Sequence, residues 1–172
     1  MSTATLKPQT HSDGEIHSSS NQNNSNKDKG PTFDTEEERM KYILSVWKQF
    51  KIKFMKDSKQ GLGAAIYHID NNAVLTCSEE LSITEKDFID ILAKTENPEL
   101  AYEKGITIQE KHFKVVIADG RYGIYSTRAS EDCSICKTDT LIILWIHPKC
   151  DKNVKSNEEL MKLGDCFRSW GF

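Results

Sequence analysis

No stretch of this sequence approaches the ~20 consecutive apolar residues that cross a bilayer as a helix, and its first residues lack the apolar run of a secretory signal. A soluble, cytoplasmic protein is therefore the expectation. Charge of one sign is scarce as well: 23 Lys and Arg against 26 Asp and Glu leave a formal −3 over 172 residues. Without a whole-chain basic field nothing argues for nucleic acid, and a charged partner has to be met by a local patch. The five cysteines, Cys77, Cys133, Cys136, Cys150 and Cys166, are an odd number in a chain with no export signal, which fits reduced thiols better than a disulfide framework. Gly-x-Ser-x-Gly, Walker and Rossmann glycine patterns are missing too. Five histidines and many serines make chance combinations easy, so no catalytic residue and no cofactor is assigned, and enzyme activity is not expected.

Residues 1–34 are mostly Ser, Asn, Thr, Lys, Asp and Gly, typified by Ser18-Ser19-Ser20-Asn21-Gln22-Asn23-Asn24-Ser25-Asn26, with almost nothing to bury. They read as a disordered polar tail. Residues 35–172 then supply one domain with one core. Thr35 with Glu38 forms a capping box, and Met40, Ile43, Leu44, Trp47, Phe50 and Phe54 line one face of the helix behind it. Gly61-Leu62-Gly63 ends the helical region. Two strands, Ala64 to Ile69 and Ala73 to Cys77, turn around Asp70-Asn71-Asn72. Behind Ser82 and Thr84 a second helix carries Phe88, Ile89, Ile91 and Leu92 and stops before Asn97-Pro98; a short turn from Glu99 to Lys104 ends at Gly105. Three further strands are expected: Ile106 continuing through His112 to Ile117, Tyr122 to Thr127 after the Asp119-Gly120 turn, and Ile135 to Ile146. Short turns make neighbours antiparallel. Ser156, with Glu159 three residues on, caps a last helix whose stripe is Leu160, Leu163, Gly164 and Phe167. His68 and His112 read as ordinary strand residues.

Cys133-Ser-Ile-Cys136 and His147-Pro-Lys-Cys150 have the look of a zinc site. If the run between them is one continuous strand, eleven steps of ~3.3 Å put Cys136 and His147 ~35 Å apart, so no metal is expected. A redox pair at Cys133 and Cys136 lacks the helix N-terminus that activates such thiols. The best basic feature is the first helix and its extension, where Lys48, Lys51, Lys56 and Lys59 fall within roughly 140° of arc, with Lys53 nearby. Such a face suits acidic phospholipid, or is a solvated lysine surface over a packed stripe.

The β-branched run Leu141 to Ile146 after Lys137-Thr138-Asp139-Thr140, the Ile83-Thr84 helix start, the Gly105-Ile106-Thr107 entry into strand and the end Leu163-Gly164-Asp165-Cys166-Phe167-Arg168 together resemble profilin. Asn97-Pro98-Glu99-Leu100-Ala101 and Glu103-Lys104-Gly105-Ile106 resemble most the divergent testis-type fourth vertebrate branch of that family. The resemblance spans residues 35–172. It implies an α+β fold, a central antiparallel sheet with the N- and C-terminal helices packed together on one face and a further helix on the other. It further implies a monomeric, non-enzymatic protein of the cytoplasm and cytoskeleton that binds monomeric actin, with phosphoinositides and proline-rich proteins as further partners.

Carried over residue by residue, the resemblance puts Lys111 and Arg128 on the actin-binding face. Ile117 stands where an arginine is usual, and Lys149-Cys150-Asp151-Lys152-Asn153 replace a His-Gly-Gly stretch, so weakened actin affinity is expected. Polyproline would meet Trp47 and Tyr42 from the first helix and Trp170 or Phe172 from the last. Asp165 stands where the family has a ring, and binding there is expected to be weak or absent. The alternative function is an acidic-phospholipid adaptor that has lost actin and polyproline binding and uses Lys48, Lys51, Lys53, Lys56 and Lys59. A zinc or redox module is a third reading.

Overall fold

The computed structural model describes residues 30–54, 63–120, 123–149 and 153–172, with backbone alone for 153–155. Helix α1 (Glu36–Phe54) is followed by strands β1 (Ala64–His68) and β2 (Val74–Cys77), helices α2 (Glu85–Glu96) and α3 (Pro98–Lys104), strands β3 (Ile106–Ile108), β4 (Lys111–Ala118), β5 (Gly123–Arg128), β6 (Glu131–Lys137) and β7 (Leu141–Pro148), and helix α4 (Asn153–Ser169). The strands make a seven-stranded sheet ordered β2-β1-β7-β6-β5-β4-β3, and every pairing in it is antiparallel. This is the α+β architecture expected, with two helices rather than one on the second face.

Strand alternation divides the core in two. On one side Ala64, Ile66, Cys136, Leu141, Ile143 and Trp145 meet Ile43, Trp47 and Phe50 of α1 and Leu160, Leu163 and Phe167 of α4, with Phe172. The terminal helices therefore share a face. On the other side Ala65, Tyr67, Cys133, Ile135, Ile142, Leu144 and Ile146 meet Phe88 and Ile91 of α2 and Ala101 of α3. Leu44 and Ile89, both expected in apolar stripes, are 37 % and 55 % exposed, because each stripe is narrower than its sequence pattern.

Caps place the helices. Thr35 Oγ1 accepts from the Glu38 amide at 3.2 Å, while the Glu38 carboxylate reaches back one residue further than a capping box requires, to the Asp34 amide at 3.1 Å. At α2 the box closes fully: Thr84 Oγ1 accepts from the Asp87 amide at 3.1 Å, and Asp87 Oδ2 accepts from the Thr84 amide at 3.0 Å. Asn97 caps the next helix, accepting from the Leu100 amide, with Pro98 in its first turn. Residues 98–104, expected as a turn, are thus helical, since proline is pre-set for that first position.

Two expected strands are hairpins. Gln109 and Glu110 both take positive φ (50° and 63°) and fold Ile106–Ile117 into β3 and β4. The Ile135–Ile146 run breaks at residues 138–140, where Thr138 pairs its amide with the Leu141 carbonyl and its hydroxyl with the Leu141 amide. Strand β6 consequently begins at Glu131, earlier than expected. Helix α4 starts at Asn153, so Ser156 lies inside it rather than capping it, while Leu160, Leu163, Gly164 and Phe167 are buried as expected. Gly30 to Asp34, assigned to the tail by composition, lie against Trp170.

Candidate functional site

At one end of the sheet β4 begins, β5 ends, β6 begins and β7 ends, so residues remote in sequence meet at a corner. Lys111 Nζ lies 3.0 and 3.3 Å from the two carboxylate oxygens of Glu131, and Arg128 Nη1 lies 3.4 Å from one of them. The tight β5–β6 turn, with Ala129 at φ 31°, sets Arg128 directly opposite Glu131. Lys149 completes the corner, its Nζ donating to Thr127 Oγ1 at 3.1 Å. Partly exposed ion pairs of this kind add little stability, so their consequence is geometric: two cations held on one carboxylate at the surface. Further along β4 a bulge makes Val116 the extra residue between Val115 and Ile117, and Val116 and Ile117 stand 49 % and 51 % exposed.

Behind the corner, on the α1/α4 face, polar groups are buried. The Tyr125 hydroxyl donates to Asp132 Oδ2 at 2.9 Å, and His147 Nε2 lies 3.3 Å from Ser134 Oγ. Burial pushes the His147 pKa down, against the Pro148 carbonyl and the Asp132 carboxylate, which both favour the cation. Ser134 is 0 % exposed, so no substrate reaches its hydroxyl and the pair does no nucleophilic chemistry.

The hairpin at 138–140 removes the basis of the ~35 Å separation between Cys136 and His147. His147 sits opposite Asp132, and Cys136 is four residues along the same strand, about 13 Å away at the usual rise. Among the described residues no cluster of three His, Cys, Asp or Glu is placed to hold a metal ion, and Cys150 lies outside them. Cys133 and Cys136 face opposite sides of the sheet and belong to separate cores, which rules out a disulfide between them in the folded state. Burial raises both thiols, that of Cys136 to about 11 despite the nearby Arg168 guanidinium. Neutral, enclosed thiols of this sort are inert.

Aromatic side chains fall in two rows along α1. Trp47 stacks on Phe50 (5.6 Å, 8°), which contacts Phe54 and, edge-on, Trp145. Trp47 is 2 % exposed, and its indole N–H has no partner among the described residues. Tyr42 lies one turn away with Trp170 of the α4 end at 5.1 Å. Phe172 is 2 % exposed and carries the Arg39 guanidinium 4.1 Å above its ring, while Arg39 also donates to the Gly171 carbonyl. Of the four rings considered for polyproline, the structure brings Tyr42 and Trp170 together at the surface and buries Trp47 and Phe172. Phe33 joins them, 5.3 Å from Tyr42 and 6.1 Å from Phe172.

Lys48 and Lys53 are exposed and Lys51 is half-buried on α1. Lys48 and Lys51 lie about 60° apart around the axis, whereas Lys53 points about 140° away from Lys48; its Nζ sits 4.7 Å over the Phe54 ring. Lys56 and Lys59 lie outside the described residues, so the four-lysine face is represented by two members.

The sequence profile of the profilin family matches residues 45–172. This chain belongs to the profilin family. Solved profilins share its fold. Acanthamoeba castellanii profilin II aligns at TM-score 0.57 and 17 % identity over 64 % of this chain and 86 % of its own. Mouse profilin IIa, in complex with a double repeat from the FH1 domain of mDia1, aligns at TM-score 0.56 and 16 % identity over 73 % and 99 %. Rat profilin 2a gives TM-score 0.56 and 17 % identity over 75 % and 99 %. No curated protein sequence matches at a significant level. Profilins are non-enzymatic, in keeping with the absence of catalytic motifs from the sequence. The profilin match begins at Ser45, inside α1, so Tyr42, Phe33 and the first two turns of that helix lie before it. Glu131, the residue that gathers Lys111 and Arg128, lies ahead of the strand that the sequence pattern predicts from Ile135, so that pattern does not single it out.

Proposed function

We propose that this profilin is a cytoplasmic regulator of the actin cytoskeleton that meets monomeric actin at the strand-end corner, with Lys111 and Arg128 as its basic contacts. The observation that carries this reading is the convergence of those two cations, 17 positions apart in the sequence, on Glu131 at the exposed end of the sheet. Affinity below the family norm follows from the same surface. Ile117, half-exposed on β4, offers no charge where profilins usually carry arginine. Interface energy concentrates in a few anchors, so a missing one costs more than its share of area. The Asn97-Pro98-Glu99-Leu100-Ala101 and Leu163-Gly164-Asp165 segments support our assignment to the divergent testis-type fourth branch, and we propose that proline-rich partners engage it weakly.

The test is actin-monomer binding by the full chain and by a Lys111→Glu/Arg128→Glu variant. Micromolar binding abolished by the double change supports the proposal; binding that survives it moves the contact elsewhere. An acidic-phospholipid reading keeps a second place because Lys48, Lys51 and Lys53 enter none of the ion pairs among the described residues. No actin binding together with salt-sensitive sedimentation on phosphatidylinositol-phosphate vesicles would favour it.

A further inference from the structure

The aromatic surface between the ends of α1 and α4 is already occupied by the chain itself. Gly30-Pro31-Thr32-Phe33, outside any helix or strand, runs beside Trp170 and into α1. Gly30 lies so close to the Trp170 indole that a Cβ there would fall within 3.0 Å of its Cδ1 and Nε1. Phe33 is inserted between Tyr42 and Phe172. Tyr42 in turn meets Trp170 edge-on at 5.1 Å. The segment is held by packing more than by backbone pairing: among the described residues it enters no sheet, and at its end the Asp34 amide is fixed by Glu38.

We infer that residues 30–33 are an intramolecular occupant of the Tyr42–Trp170 surface, and that an extended proline-containing peptide reaches those rings only when the segment leaves. The inference rests on the reading above that proline-rich partners are weak ones, and supplies its cause. The occupant shares features with the ligand it displaces: a proline-bearing stretch outside any helix or strand, with Gly30 and Phe33 against aromatic rings. Only Asp34 separates it from Thr35, which keeps its effective concentration high without any strong contact. A free peptide must therefore compete with a neighbour that never diffuses away, and its apparent affinity falls by the fraction of molecules in which the segment is out. If that fraction is about one in ten, opening the segment tightens binding about tenfold.

The experiment uses the full chain, isotope-labelled, with decaproline as the probe and the Trp indole resonances as readout. Phe33→Ala removes the inserted ring; Gly30→Val drives the segment off Trp170 while leaving Phe33, the one of the two that packs against the α1/α4 core, untouched. The expected result is a shifted Trp170 resonance in both unliganded variants, an unchanged Trp145 resonance, and about tenfold tighter decaproline binding than wild type. Equal affinity in all three proteins, or a Trp170 resonance that neither substitution moves, overturns the inference. Failure of all three to bind decaproline sinks the proline-binding reading separately; the Trp170 shift then decides whether the segment is docked, its presence supporting docking and its absence refuting it.

Discussion

The seat of α4 on the sheet depends on one missing side chain. A methyl group at Gly164 would approach Cys136 Sγ closer than 3.0 Å, a separation Cβ atoms essentially never reach. Cys136 cannot retreat: it sits inside β6, flanked by Gly123 on β5 and Ile143 on β7. Its thiol is also approached by Arg168 Nη1 at 3.7 Å. Gly164→Ala therefore forces the helix outward or the thiol off its rotamer, an overpacking cost of about 3 kcal/mol at the severe end. Helix propensity returns about 1 kcal/mol. The net expectation is a loss of about 2 kcal/mol, read by urea unfolding of full-length protein at constant m-value. Cys136→Ala alone removes a buried sulfur and costs about 1 kcal/mol by leaving a small cavity. In the Gly164→Ala background the same change makes room for the new methyl and should stabilise. The sign reversal is the test, because a general helix defect gives no such coupling. Additive effects within about 0.5 kcal/mol would refute the reasoning and place the cost of Gly164→Ala elsewhere.

Other expectations follow from single features of the fold. His147 is held neutral by burial, so its folded pKa lies below its unfolded one. The folded state then binds fewer protons, and stability is lost as pH falls below about 6.5, at no more than about 1.4 kcal/mol per pH unit; urea midpoints at pH 7.5 and 5 should separate less in His147→Gln than in wild type. Thr84→Ala removes the hydroxyl that accepts the Asp87 amide and should cost about 1 kcal/mol by the same assay; a change below about 0.3 kcal/mol would mean the cap is replaced by solvent. Lys48→Glu with Lys51→Glu should weaken any binding to phosphatidylinositol-phosphate vesicles by about 10-fold or more, at about 1 kcal/mol for each lysine near an anionic surface. Lys53→Glu, pointing elsewhere, should do less. Mild oxidation should leave no Cys133–Cys136 bridge detectable by mass spectrometry of the folded protein, since the sheet separates them.

Of the four described helices, α1, α2 and α4 were legible because their signals are local, while α3 read as a turn. Thr84 ahead of α2, and the 3- and 4-residue steps of Ile43, Trp47 and Phe50, act within a turn or two, and the structure keeps them. The β1–β2 hairpin around Asp70-Asn71-Asn72 was legible, but the β3–β4 and β6–β7 hairpins read only as single strands. Gln109-Glu110 carries no Asn-Gly or Asp-Gly signal, yet both residues take positive φ, with the pairing of Ile106 to Phe113 enforcing the turn. At residues 138–140 the break relies on Thr138, whose β-branched side chain reads as strand while its hydroxyl closes the turn. Exposure of Leu44 and Ile89 was equally hidden, because burial depends on which neighbours cover a stripe and not on its period.

What stayed illegible at the candidate site has one physical cause. Lys111 and Arg128 could be placed from the family resemblance, but their shared partner depends on register, and register is a tertiary property. Once β6 begins at Glu131 and pairs residue for residue with β5, the carboxylate has no other place to go than between the two cations. The corner then presents less free charge than its lysine and arginine content implies. An actin surface that approaches it has to compete with Glu131 or accept the arrangement as it stands. The exposed Ile117 and Val116 beside it add apolar area in place of an arginine's fork. For the actin contact proposed at this corner, the expected outcome in a salt titration is weaker and less salt-dependent binding than by a profilin with unpaired cations there, since the charge that steers association is already partly neutralised within the protein.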